Sequence, residues 1–333
     1  MIGVCVIPTG IRAEIGGNAG DGNAVAKLLA STCDTLIVHP NVVNAADINE
    51  MTENMLYVEG SMLDRFLWGN IGLDRVKSNK ILLVTNPPLR NEVVNSVSAA
   101  RVTLGAEIEV LILEKPLKMV GRIENGKATG DVIGWENLVK QAEQYKFDAI
   151  AIHTPIELDR ETRLNYYRNG GVNPWGGVEA MTSKLIGRSL NKPAAHAPVE
   201  NIDPDDKELY TFNEIVDPRI APELVSVCYL HCILKGLHKA PRIGTGLTYK
   251  DIDFMVTPIG CVGPPHHACL KHGIPIIAVK ENKTCLNDKM PDSFIFVENY
   301  LEAVGVINAM KIGVSLESVR RPIKNTKIHG LHQ

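Results

Sequence analysis

The sequence predicts an α/β protein with a doubly wound, mostly parallel, Rossmann-like sheet, arranged either as one sheet or as two α/β halves. Three observations predict it. Short β-branched apolar runs recur along the chain, each ends in a Gly/Pro/Asn loop, and helix-patterned stretches alternate with them. Strands covered on both faces read as continuous apolar runs, because neither side meets water.

The first strand is Ile2–Ile7, ending at Pro8-Thr9-Gly10. A Gly-rich loop follows, and Asn23 is placed to cap a helix running to Ser31. Thr35–Val38 is the next buried strand and ends at His39-Pro40-Asn41. Ile81–Thr85 and Glu109–Leu113 are strands flanking Asn91–Leu104, whose apolar spacing is that of an amphipathic helix. Glu114–Gly134 breaks the rhythm and reads as a hairpin excursion. Trp135–Tyr145 is helical and Phe147–His153 a strand. Glu200–Pro222 is polar and Pro-rich, as a long loop or crossover would be, and Pro222–Leu237 is a buried helix. Phe254–Thr257 and Ile274–Val279 are late strands with a short helix between them. A split near residue 150 gives an N-terminal half, 1–150, and a C-terminal half, 151–333. One continuous doubly wound domain with an insertion is the competing organisation.

Bulk properties narrow the function classes. The 333 residues are 45% hydrophobic and 22% charged, enough for a sizeable core. The net charge of −3 supplies no electrostatic footprint for nucleic acid or an anionic membrane. Aromatic residues make up only 5%, which argues against base-stacking platforms. The seven cysteines are irregularly spaced without a CxxC pair, the pattern of reduced thiols in a cytoplasmic protein. Met1-Ile2-Gly3-Val4 opens directly into a strand-like run, so no signal peptide is expected. No apolar run approaches the roughly 18 residues of a membrane span.

Four loops carry the candidate chemistry. The first, Pro8–Asn23, contains Arg12, Gly16, Gly17 and Asn18 between the first strand and the first helix. Glycines let backbone N–H groups approach a ligand, a helix N-terminus favours an anion, and Arg12 is placed to clamp a carboxylate or phosphate. The glycine spacing is neither a P-loop nor a GxGxxG motif, so no NAD site is expected. The second, His39–Glu50, offers His39 as a base or donor, with Asn41 and Asn44 to fix a carbonyl or simply to cap a helix. The third is Asn169–Ala180, where Asn173, Trp175, Gly176 and Gly177 form a nest ahead of a helix. Trp175 there is a core plug or a stacking surface, and Glu179 a first-turn acid. The fourth, Thr257–Cys269, sets Gly260, Cys261 and Gly263 at a strand-to-helix turn where a thiol pKa can fall. A small residue filling a tight turn explains Cys261 equally well. Glu281 follows the last strand and is placed to reach the same crevice. His153 and His196 are secondary candidates. The histidines at 266, 267 and 272 lack standard zinc spacing, so no metal is expected.

Taken together, Ile7–Gly17, His39–Ala45, Asn173–Ala180, Gly260-Cys261 and Gly273–Asn282 resemble a family of unknown function common in photosynthetic organisms. The resemblance covers nearly the whole chain and implies one continuous family domain. It brings with it no established activity or catalytic residue, and His266-His267 is not part of its pattern. Gly273–Val279 also resembles the nucleotide-sugar half of two-domain glycosyltransferases, an analogy of fold alone.

These readings lead to an enzyme for a small carboxylate- or phosphate-bearing substrate. Arg12 and the loop N–H groups would hold the anion, and Cys261 would act as thiol with His39 and Glu281 as proton-transfer partners, in a hydrolase, lyase or isomerase. A nucleotide-sugar transferase and a non-catalytic ligand-binding protein are the alternatives, and homo-oligomerisation is left open. The expectation beneath all three is geometric: the stretches near residues 12, 41, 175 and 261 meet at one cavity on the carboxyl edge of the sheet.

Overall fold

In the computed structural model, residues 1–8, 10–18, 21–39, 51–199, 219 and 229–330 are described. The chain runs β1 (Ile2–Cys5), α1 (Asn23–Ala30), β2 (Thr35–Val38), β3 (Met55–Tyr57), α2 (Gly60–Leu67) and β4 (Gly72–Asp74). It continues through β5 (Lys80–Thr85), α3 (Asn91–Leu104), β6 (Glu107–Ile112), β7 (Lys118–Glu124), β8 (Lys127–Ile133) and α4 (Trp135–Ala142). Next come β9 (Ala149–Glu157), α5 (Arg160–Asn169), α6 (Gly176–Leu190), β10 (Ala194–Val199), α7 (Tyr229–Lys239) and β11 (Arg242–Gly244). The last elements are β12 (Phe254–Pro258), α8 (Pro264–His272), β13 (Ile276–Val279), β14 (Ile295–Val297), α9 (Tyr300–Lys311) and α10 (Leu316–Val319).

The first sheet is parallel throughout, in the order β14-β13-β12-β1-β2-β3. Its strands are short and apolar because both faces are covered. Leu36 and Val38 pack toward α1 and α9, while Ile37 packs toward α2 and α8. The chain leaves β1 toward β2 on one side and leaves β12 toward β13 on the other. The crevice beyond the carboxyl ends of β1 and β12 is therefore a topological switch point, where open α/β sheets bind ligands.

The second sheet is also doubly wound. Parallel strands run β6-β5-β9-β10, with α3 and α7 on one face and α4 and α6 on the other. The hairpin expected over Glu114–Gly134 is β7–β8, and β7 joins the sheet beside the last residues of β9. A small antiparallel pair, β4–β11, links the two parts.

Both ends of the chain build the first sheet, and the middle builds the second. Residue 150 lies within β9, which is paired with β5 on one side and β10 on the other, so a division there would cut a sheet through a central strand. Helix ends follow local chemistry: α3 stops at Gly105 in the left-handed region (φ 65°), and α8 starts on Pro264-Pro265. Among the described residues no helix is long and apolar enough to cross a membrane. The expected crossover over Glu200–Pro222 lies outside the described residues except for Arg219.

Candidate functional site

A cavity of about 340 Å³ lies between the two sheets. One wall is the switch-point edge of the first sheet, with Val6 and Pro8 after β1, His39 after β2, Tyr57 and Glu59 at β3, and the Cys261–His266 turn after β12. The opposite wall belongs to the second sheet: Gly176, Glu179, Ser183 and Lys184 of α6, His196 of β10 and Ile233 of α7. All four loops singled out in the sequence touch this hollow, the first only through Pro8 and the others through His39, Gly176, and Cys261 with Gly263.

The Gly-rich first loop does not supply the anion cradle expected of it. Arg12 is exposed and is not among the cavity-lining residues. Among its described residues the loop is a clasp, hydrogen-bonded to the segments around Ala128 and Lys283–Cys285. Gly10 O accepts from Ala128 N (3.1 Å), Glu14 N donates to Lys283 O (3.0 Å), and Ile11 O accepts from Cys285 N (2.8 Å). Asn282 holds Ile15 from both sides, accepting from its N–H and donating to its carbonyl, each at 3.0 Å. Gly16 has φ +77°, and a Cβ on Gly17 would lie 2.1 Å from Ala13 O, so both glycines serve the tight turn. Asn18 is buried and accepts from Tyr166 Oη at 2.5 Å.

His39 does line the cavity, and burial pushes its pKa down to about 4, leaving a neutral imidazole. A Cβ on Gly60 would stand 2.8 Å from His39 Nε2, so the absence of a side chain there makes room for the ring. Asn41 and Asn44 lie outside the described residues.

In the third loop Asn173 Oδ1 accepts from the N–H groups of Trp175 (3.0 Å) and Gly176 (3.2 Å), fixing the turn that leads into α6. Trp175 packs against Tyr166 and Tyr167 with ring centroids 5.6 Å apart in both pairs, which is the core-plug role. Gly177 permits α6 to lie against β8, since a Cβ there would be 2.2 Å from Ala128 O.

The fourth loop places Cys261 in the cavity wall but not as an activated thiol. The residue is buried, and desolvation pushes its pKa up to about 11. Its thiol donates to Pro258 O (3.4 Å). Gly263 N–H donates to His266 Nδ1 (3.1 Å), so His266 Nε2 carries the hydrogen and donates to Thr257 Oγ1 (2.8 Å). His266 is therefore committed to the turn, and burial holds it neutral with a pKa of about 4. Gly260, at φ +76°, forms the turn beside Leu286 O. Glu281 is exposed and accepts from Tyr300 N (2.9 Å) at the start of α9, apart from the cavity.

Two acidic groups complete the site. His196 Nδ1 faces Glu179 Oε1 at 3.1 Å, while its Nε2 faces both oxygens of Thr154, each at 3.1 Å. Glu59 is buried at the start of α2, where Ser61 N (2.8 Å), Ser61 Oγ (2.5 Å) and Met62 N (3.0 Å) donate to it. Burial outweighs those bonds and pushes its pKa up to about 7. Lys184 brings the cation, 4.0 Å from Asp64 Oδ2. Among the described residues no group of three or more His, Cys, Asp or Glu is disposed to hold a metal ion.

The family model described as Protein of unknown function (DUF3326) matches residues 2–320. The chain belongs to the DUF3326 family. That span contains every residue of the cavity, from Val6 to Leu286. The chain is similar to an uncharacterized lipoprotein of Synechococcus sp., with 34% identity over 338 residues covering 94% of this chain and 92% of that protein. No solved structure matches.

Sequence reasoning missed Tyr57, Glu59 and Lys184. Tyr57-Val58-Glu59-Gly60-Ser61 is the informative stretch: a strand end runs into a helix start through a Glu, where Ser, Thr, Asp or Asn is the usual cap.

Proposed function

We propose that this DUF3326 protein is a small-molecule lyase or isomerase that works by general acid–base catalysis in the cavity between the sheets. The observation that carries the reading is Glu59, a buried carboxyl with a pKa near neutrality in the wall of the cavity that opens on the topological switch point. A group with a pKa near the working pH both accepts and returns a proton. Its plain role is to cap α2. A shorter Ser or Asp does that without burying a longer acid.

The other groups fit supporting roles. Lys184, rather than Arg12, is the cation positioned to hold a carboxylate or phosphate on the substrate. His39 is a neutral hydrogen-bonding group, and the Glu179–His196 pair orients the opposite wall. A thiol mechanism is not part of the proposal, because Cys261 remains protonated at neutral pH. We place the protein in the cytoplasm on the strength of its free thiols. Cell fractionation tests that placement, since the similar Synechococcus protein is called a lipoprotein.

The test of function is untargeted. Wild type and Glu59→Gln are incubated with a deproteinised cell extract, and metabolites are followed by mass spectrometry. Depletion of one metabolite with appearance of another, lost in Glu59→Gln, is the expected result. Retention of a metabolite without conversion makes the protein a binder, and no change at all contradicts a ligand site in the cavity.

A further inference from the structure

Tyr57 is only 3% exposed and lines the cavity, yet its hydroxyl has no hydrogen-bond partner among the described residues. Buried phenols nearly always find a partner, and Phe would fill the same space without an unpaired polar atom. The ring is fixed, because Met55 and Tyr57 face the core formed with α1 and α9 while Leu56 and Val58 face the other. Burial and the nearby Glu59 raise the phenol pKa, so the group stays an O–H donor. The hydroxyl itself has almost no accessible surface in the ligand-free structure, so an acceptor brought by a ligand would meet this donor, unpaired among the described residues, by displacing side chains packed over it.

Two residues on, Glu59 has nearly the complementary deficiency. Its Oε1 accepts two hydrogen bonds and its Oε2 one. A carboxylate offers about four acceptor sites, so one on Oε2 is open. The cavity therefore presents one neutral donor and one base site from a single five-residue stretch. Apolar walls from Val6, Leu63 and Ile233 surround them, with Lys184 on the far side. At about 340 Å³ the space is at the small end for ligand pockets.

We propose that the ligand is a small enolisable oxo acid, its carbonyl oxygen on the Tyr57 hydroxyl, its adjacent C–H toward Glu59 Oε2 and its carboxylate toward Lys184. The inference rests on the acid–base reading of the same cavity. Glu59 takes the proton from the carbon beside the carbonyl. The C–H electron pair becomes the C=C bond, and the carbonyl π pair moves to oxygen. The resulting enolate oxygen is stabilised by the Tyr57 O–H, which donates without being consumed. Protonated Glu59 then returns the proton to carbon, so no oxidant, reductant or co-reactant enters.

The experiment uses the full chain in D2O with pyruvate, 2-oxobutyrate, acetoacetate and neutral cyclohexanone, with loss of the α-proton signals followed by NMR. Wild type is expected to accelerate exchange of at least one oxo acid over cyclohexanone. Glu59→Gln is expected to fall to the buffer rate, and Tyr57→Phe to lose about 100-fold or more. A second readout guards against misfolding: ligand-free Tyr57→Phe should melt at or above the wild-type temperature, while the thermal shift given by the responsive oxo acid disappears. Failure of every oxo acid to exchange, or exchange unaltered in Tyr57→Phe, overturns the inference. Metabolite conversion that needs Glu59 but survives Tyr57→Phe would leave the acid–base enzyme standing and remove the oxo acid. Absence of both conversion and exchange removes both.

Discussion

Tyr57 and Glu59 stand two residues apart at the carboxyl end of β3, and both close the cavity between the sheets. One is a donor without a partner among the described residues, and the other a carboxyl held close to half-protonation at neutral pH. Their juxtaposition gives the site its chemical character, and it has consequences for stability as well as for binding.

Glu59 makes stability depend on pH in an identifiable direction. Its folded pKa, about 7, lies above the ordinary 4.5. The protonated group therefore favours the fold, a contribution fully present below pH 4.5 and lost as pH rises through 7. The gap corresponds to on the order of 3 kcal/mol. Urea denaturation of wild type and Glu59→Gln from pH 4.5 to 8 checks it. The wild-type stability relative to the variant is expected to decline to about pH 7 and then level off. A flat difference would contradict the buried, raised carboxyl.

Cys261 is expected to resist alkylation. At pH 7.5 a thiol with a pKa of about 11 is almost wholly protonated, and the residue is also buried. Iodoacetamide followed by peptide mass spectrometry should label the more accessible Cys285 before Cys261. Cys261→Ala should retain turnover within a few-fold. Preferential labelling of Cys261 would return it to the mechanism.

Removing the acceptor for His196 tests the opposite wall. Glu179→Ala leaves Nδ1 of a fully buried ring facing empty space, at a cost of about 1–3 kcal/mol in chemical denaturation. Glu179→Gln keeps an oxygen within reach and should cost less. Equal losses in the two variants would show that the contact does not stabilise the fold.

Glycine substitutions separate close approach from open space. Gly177→Ala drives a methyl to 2.2 Å from Ala128 O and should destabilise by about 1–3 kcal/mol as α6 lifts from the hairpin. Gly305→Ala, within α9 and with nothing inside 4 Å, should stabilise by about 0.5–1 kcal/mol. Thermal melts of the two variants moving in the same direction would contradict the packing of α6 on β8.

The fold was legible because burial on both faces writes itself into composition. Thr35–Val38 and Asn91–Leu104 were read with the bounds that β2 and α3 have. What the sequence concealed was partnership, since nothing in Phe254 announces that its strand lies beside β1. That pairing brings the two ends of the chain into one sheet. The site was legible where loops followed strong strands, as at His39 and Cys261. It was hidden at Tyr57 and Glu59 because β3 has only three residues, too short for a periodic signal. Arg12 misled because charge and glycines show the capacity to bind an anion, whereas the clasp to Lys283, Cys285 and Ala128 depends on tertiary contacts.

Crystallographic soaking with a library of small carbonyl- and carboxylate-bearing fragments tests the central claim most directly. The account predicts fragments between the two sheets, with an acceptor oxygen within hydrogen-bond distance of Tyr57 Oη and contact with Glu59. Fragments bound elsewhere while that cavity stays unoccupied, or occupants that leave the Tyr57 hydroxyl unpaired, would contradict it.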